Sequence, residues 1–175
     1  MDIREALAKF LSQQPFTRVV IDFADKTWYY SQVPAKPGWY FLETTTPLAV
    51  LQRIDAPPAI FLNSKGEEKK TRNFNLGTRA LRYDGSKVQE VWLTTKVYSG
   101  MARNLCARAR EHTFAHPGTA SLALANYREL HQYVWEFWYA TSETFNQRGA
   151  EDETLLRLGE QIWRAQNGWP VLCAY

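Results

Sequence analysis

The sequence predicts a small α+β domain, an antiparallel sheet flanked by helices. Three observations predict it. Runs of β-branched and aromatic residues alternate with period two, most clearly over residues 91–98. Other stretches space their apolar residues as a helix does and carry capping residues at their ends. The later elements run strand, strand, helix, helix, strand, helix, an order that suits an antiparallel sheet with helices packed on it. The 175 residues suffice for one core, and 45% hydrophobic with 22% charged residues excludes a disordered chain. Seven Trp make the composition rich in aromatics, most of which a thick core would absorb.

Asp2 is placed to cap a first helix with Ile3, Leu7, Phe10 and Leu11 on one face, ended by Pro15. Thr17–Phe23 reads as a strand, and Ala24-Asp25-Lys26 as a turn into a second strand over Thr27–Tyr30, together an N-terminal hairpin. After Pro34 and Pro37-Gly38 comes a strand over Trp39–Thr44, then a short helix from Pro47 over Leu48–Arg53. Asp84-Gly85 predicts a turn and Val88–Gly100 a strand. Asn104–Phe114 reads as a helix stopped by His116-Pro117-Gly118, and Thr119 or Ser121 caps another reaching Leu130. Tyr133–Ala140 is an aromatic strand. Glu151-Asp152-Glu153 opens a last helix that Gly168 and Pro170 end. Residues 1–37 are expected to pack on the same domain as residues 38–175.

The net charge of +3 is too small to identify a partner. Its distribution is less even: residues 63–87 carry seven Lys and Arg against three acids, a local +4. Such a segment can contact phosphates or form a solvated loop of mixed charge. Cys106 and Cys173 show neither metal spacing nor a disulfide framework, which fits a reducing, cytoplasmic setting. The N-terminus lacks a signal-peptide apolar stretch, and no apolar run is long enough for a membrane span. Soluble and cytoplasmic is therefore the expectation.

Three separated pieces then combine. Gly38-Trp39-Tyr40 begins a strand. Tyr98-Ser99-Gly100 ends one and is followed by Asn104-Leu105, Arg108 and His112. Glu160 lies on the last helix, with Pro170 ten residues later. This resembles the GIY-YIG nuclease family, including the N-terminal domain of the excision-repair nuclease and some small restriction enzymes. The resemblance spans Gly38 to Tyr175, interrupted by an insertion of about 45 residues over Thr46–Glu90, long for a connection between paired strands. It implies a three-stranded core sheet, with the strand at Tyr133–Ala140 as its third, and magnesium-dependent endonuclease activity on DNA.

Phosphodiester hydrolysis needs an in-line nucleophile and neutralisation of developing charge. The resemblance implies that Tyr40 and Tyr98 position or deprotonate the attacking water, and that His112 sits near that base. Arg108 grips phosphate oxygens in a fork, and Glu160 holds Mg2+ or another divalent cation. Helical spacing puts Met101, Leu105, Arg108 and His112 on one face. Arg103, Lys65, Lys69, Lys70 and Arg72 are the candidate DNA contacts. Outside such a site the two tyrosines would be core aromatics, Arg108 and Glu160 solvated helix residues, and His112 an exposed one. His116 and His131 have no partner pattern and read as structural.

The chain departs from the family pattern at Trp39, Ser99 and Met101, the last in place of a frequent Lys, and lacks an Asn after Pro170. These departures keep two alternatives open: a noncatalytic nucleic-acid-binding module on the same scaffold, or a protein-interaction domain, including a homodimer, built on exposed aromatics.

Overall fold

The computed structural model describes residues 2–83, 92–93, 95–145 and 152–173. In chain order the elements are α1 (Ile3–Ser12), β1 (Thr17–Val20), α2 (Trp28–Gln32), β2 (Gly38–Thr44), α3 (Leu48–Leu51), β3 (Ile60–Leu62), β4 (Glu68–Lys70) and α4 (Leu76–Leu81). They continue with β5 (Trp92–Leu93), β6 (Lys96–Ala102), α5 (Leu105–Phe114), β7 (Trp135–Thr141), α6 (Glu153–Asn167) and β8 (Trp169–Pro170). The architecture is α+β, as the sequence predicts. Four strands form one antiparallel sheet in the order β1-β7-β2-β6.

β2 is central, and its alternation builds two cores. Tyr40 and Leu42 face one side, where they pack with Tyr98, Phe137, Leu105 and Ala109 under α5. Trp39 and Phe41 face the other, with Leu7 and Leu11 of α1 and Leu155, Leu156 and Trp163 of α6. α1 begins where expected, because the Asp2 carboxylate accepts the Arg4 N–H. α6 begins the same way, with Asp152 accepting from Thr154. It stops at Gly168, whose φ of 97° suits a residue without a Cβ.

The expected N-terminal hairpin does not form. Residues 27–30, predicted as a strand, enter the short helix α2. Asp22 accepts from the N–H groups of Ala24 and Asp25, and Asp25 accepts from Thr27. These Asx turns coil the chain, and α2 then buries Trp28 and Tyr29. β1 instead pairs with β7, so it extends the core sheet. The helix expected to reach Leu130 is two single 3-10 turns, Leu124–Asn126 and Arg128–Leu130. Ala123 at φ 52° breaks the helical path. The strand expected from Val88 begins at Lys96 within the described residues, after the separate short β5, which runs parallel to β8. Residues 84–91, with their expected Asp84-Gly85 turn, and Glu151 lie outside the described residues.

The insertion contributes to the fold. Leu51, Ile54, Leu76 and Ala80 all enter the core under α5, while β3 and β4 form an exposed two-stranded hairpin. No described helix is long and apolar enough to cross a membrane.

α6 lies directly on β2 at Gly159. A Cβ there would sit 2.2 Å from Trp39 Nε1, and that nitrogen donates to the Leu156 carbonyl at 2.8 Å, so the indole cannot step aside. Helix propensity favours Gly159→Ala by about 1 kcal/mol, whereas overpacking a fixed ring costs roughly 1–3 kcal/mol. Gly159→Ala is expected to lower Tm by several degrees in a thermal melt, despite the better helix former.

Candidate functional site

Tyr40 lies on the central strand directly opposite Gly100 of β6. Its ring crosses over that glycine: a Cβ at position 100 would come within 2.5 Å of the Tyr40 hydroxyl. The glycine of the Tyr98-Ser99-Gly100 motif is thus the space that Tyr40 occupies. Asn104 caps α5 by accepting from the Ala107 N–H at 2.9 Å. The Leu105 and Cys106 N–H groups, which a helix start leaves without partners, donate to the carbonyls of Lys36 and Pro34. The helix is therefore fastened to the chain just before β2, and its registry against Tyr40 is fixed.

From α5, Arg108 Nε donates to the Tyr40 hydroxyl at 3.0 Å, and His112 Nε2 lies 2.9 Å from the same oxygen. His112 Nδ1 accepts the Leu122 N–H at 3.3 Å, so the ring proton of the neutral imidazole sits on Nε2 and is donated to Tyr40. The phenolic oxygen accepts two hydrogen bonds, and its own proton is the capacity left over. The Tyr98 ring stacks on Tyr40 at 6.3 Å and packs against His112 at 4.7 Å. His112 is fully buried and not the exposed helix residue that helical position alone suggests. Burial, with Arg108 and Arg79 nearby, holds its pKa well below the ordinary value of 6.5.

Burial also pushes the Tyr40 hydroxyl well above the ordinary tyrosine value. Tyr98 adds to the rise and Arg108 opposes it. Tyr98 is raised by burial as well. Burial works against the Arg108 charge, but its contacts to Tyr40, Tyr98 and Glu111 raise its pKa on balance, and Nη1 pairs with Glu111 at 2.8 Å.

Glu160 approaches from α6. It lies within electrostatic range of Tyr40, Tyr98 and Arg108. Its Oε1 pairs with Arg164 one turn along the helix. Burial raises the Glu160 carboxyl, and Arg164 limits the rise. Arg164 also donates from Nε to Ser99 Oγ at 2.9 Å and from Nη2 to the Ser99 carbonyl at 3.1 Å, and its guanidinium lies over Trp169 at 4.7 Å. It clips α6 to β6 and to the C-terminal segment, where Leu172 N–H donates to the Val97 carbonyl. The site therefore straddles the β6 edge, with α5 on one face and α6 on the other.

The structure brings Tyr40, Tyr98, Arg108, His112 and Glu160 into one neighbourhood. Met101 is not on the α5 face with Leu105 and Arg108. It belongs to β6 and packs on the Trp39 side. Lys65, Lys69, Lys70 and Arg72 are exposed, on or beside the β3–β4 hairpin, where Lys69 pairs with Glu67. Arg103 pairs with Glu153 at 2.6 Å on the surface. His116 accepts from Gly118 and His131 stacks on Phe23, both in local structural roles. Sequence reasoning missed Arg164 and Arg79. The i, i+4 spacing of Glu160 and Arg164 was a usable signal, whereas nothing in the sequence places Arg79 beside Tyr98.

Mg2+ is the cofactor the resemblance implies. Among the described residues no group of three His, Cys, Asp or Glu side chains gathers to hold a metal. A partly exposed Glu160, with one oxygen committed to Arg164, suits a cation held by one carboxylate plus water and phosphate. The chain matches no protein-family model, and searches of curated proteins and of solved structures give no significant match.

Since the folded chain keeps His112 neutral, protons bind the unfolded state more readily below pH 6.5. The stability that follows is complete above that pH and is lost as pH falls below it. Relative to His112→Gln, which lacks the titration, the wild type is expected to lose up to about 1.4 kcal/mol per pH unit of acidification, measurable by urea unfolding at pH 7.5 and 5.

Proposed function

We propose that this protein is a magnesium-dependent endonuclease that hydrolyses DNA phosphodiester bonds by water attack. The observation that carries the reading is the Tyr40 hydroxyl accepting from both Arg108 and His112. Two donors on a phenolic oxygen favour its phenolate, so they support Tyr40 as general base for the attacking water. Burial opposes the same ionisation, so only a small fraction is competent near neutrality. Arg108, permanently charged, grips a non-bridging phosphate oxygen. Tyr98, stacked beside Tyr40, fixes the position of the ring and of the water. Glu160 would hold the cation through the oxygen that Arg164 does not engage. Mg2+, when bound, supplies neutralisation of the charge developing on the phosphate and leaving oxygen. Arg103, Lys65, Lys69, Lys70 and Arg72 are exposed cations through which the flanking DNA backbone would be held. Both described cysteines are free and buried, in keeping with a cytoplasmic setting.

A second reading, a DNA-binding module without cleavage, is favoured by one observation: Arg164 already neutralises Glu160. Plasmid cleavage separates the two. Nicking that requires Mg2+ and falls by about 10²–10⁴ in Tyr40→Phe, and comparably in Glu160→Gln, supports the endonuclease. Salt-sensitive DNA binding without nicking supports the module. For the endonuclease, the raised tyrosine pKa also sets the pH profile: the cleavage rate is expected to climb about tenfold per pH unit from pH 7 to 9. A flat profile across that range in single-turnover assays would exclude Tyr40 as the base.

A further inference from the structure

The insertion delivers one more guanidinium to this neighbourhood. Arg79 lies on α4, whose start is capped by Asn75 accepting from Thr78. α4 seats tightly, since a Cβ at Gly77 would come within 2.3 Å of the Ile54 carbonyl. The Arg79 guanidinium lies flat over Phe74, 3.6 Å from the ring centroid, and Nη1 donates to the Leu172 carbonyl at 2.6 Å. Phe74 in turn stacks on Tyr98 at 6.0 Å and 27°. A long flexible side chain is thus held in place at the tyrosine pair, and Arg79 is near enough to act on both Tyr98 and His112.

Charge balance gives this placement a meaning. Arg108 is paired with Glu111, and Arg164 with Glu160. Among the described residues no carboxylate lies within 4.0 Å of Arg79. Among the described residues, three guanidiniums then face two carboxylates, which leaves the partly buried Arg79 charge without a described counter-ion. Desolvation, with Arg82 as a further cation, disfavours that charge and lowers its pKa. A partly buried cation without an anion is costly, and an anion arriving there removes the cost. Because one amino group is spent on Leu172, the remaining face of the fork is what a second partner can use.

We propose that Arg79 is a second phosphate-binding residue of the tyrosine site, engaging a non-bridging oxygen of the DNA phosphodiester that Arg108 also holds. This rests on the hydrolytic reading given above. It assigns the insertion a role inside the site, separate from the exposed hairpin cations.

The test is fluorescence anisotropy of the full chain with a labelled DNA duplex, without added metal, over a series of salt concentrations. Arg79→Gln is expected to weaken binding about tenfold and to reduce the slope of log affinity against log salt by about one. Arg79→Gln with wild-type affinity and slope overturns the inference and leaves the hydrolytic reading standing. Wild-type protein that binds no duplex at low salt overturns both. If Arg79→Gln does not fold, the wild-type Arg79 Nε–Hε resonance decides: it shifts on titration with the duplex if Arg79 binds phosphate, and stays in place if Arg79 only anchors Leu172.

Discussion

A buried phenolic oxygen that accepts two hydrogen bonds from one helix is the constraint on which the rest depends. Tyr40 is 2% exposed, so bulk water alone does not satisfy its hydroxyl oxygen. Arg108 and His112 do so instead, one turn apart on α5. Leaving such a group unpaired costs roughly 1–3 kcal/mol, so the position of α5 against β2 is not free. Gly100 makes room for the ring, Asn104 starts the helix in the right place, and the carbonyls of Pro34 and Lys36 fasten that start. Each residue of the Tyr-x-Gly and Asn-Leu-x-x-Arg pattern has a packing or hydrogen-bonding reason to be what it is.

The opposite face obeys a second constraint of the same kind. Gly159 lets α6 settle on Trp39, and Arg164 ties α6 to the backbone and side chain of Ser99. These contacts carry Glu160 to the β6 edge, within electrostatic range of Tyr40 and Tyr98. Two of the departures from the family pattern are therefore coupled to the fold. Trp39 has its space and its acceptor on α6, and Ser99 is the hydroxyl that Arg164 holds. The packing reason behind them says nothing against chemistry at Tyr40.

Much of this was legible in the sequence because it is local. Period-two alternation locates β6, runs of aromatic and β-branched residues locate β2 and β7, the Asp2 cap locates the start of α1, and the acids from Glu151 locate the start of α6. The spacing of Arg108 and His112 made them neighbours. What was not legible depends on long-range contacts. Residues 27–30 have strand-like composition, yet Asx turns at Asp22 and Asp25 coil them into α2. Residues 119–130 have helical spacing, but Leu122 gives its N–H to His112 and Ala123 takes a left-handed conformation. The burial of His112 follows from that same contact. Arg79 reaches Tyr98 only because the insertion folds back into the core, and no local pattern encodes such a return.

The most direct test is NMR of protein labelled with ¹³C at tyrosine Cζ, with the Tyr40 resonance assigned from Tyr40→Phe, with and without DNA and Ca2+ in place of Mg2+. If Tyr40 is the hydroxyl that faces the reacting water, its resonance stays at the protonated position through pH 10 in the free protein. It then shifts when DNA and cation are added together. A Tyr40 resonance that does not move while the same sample demonstrably binds DNA would contradict the account and place the binding surface elsewhere on the molecule.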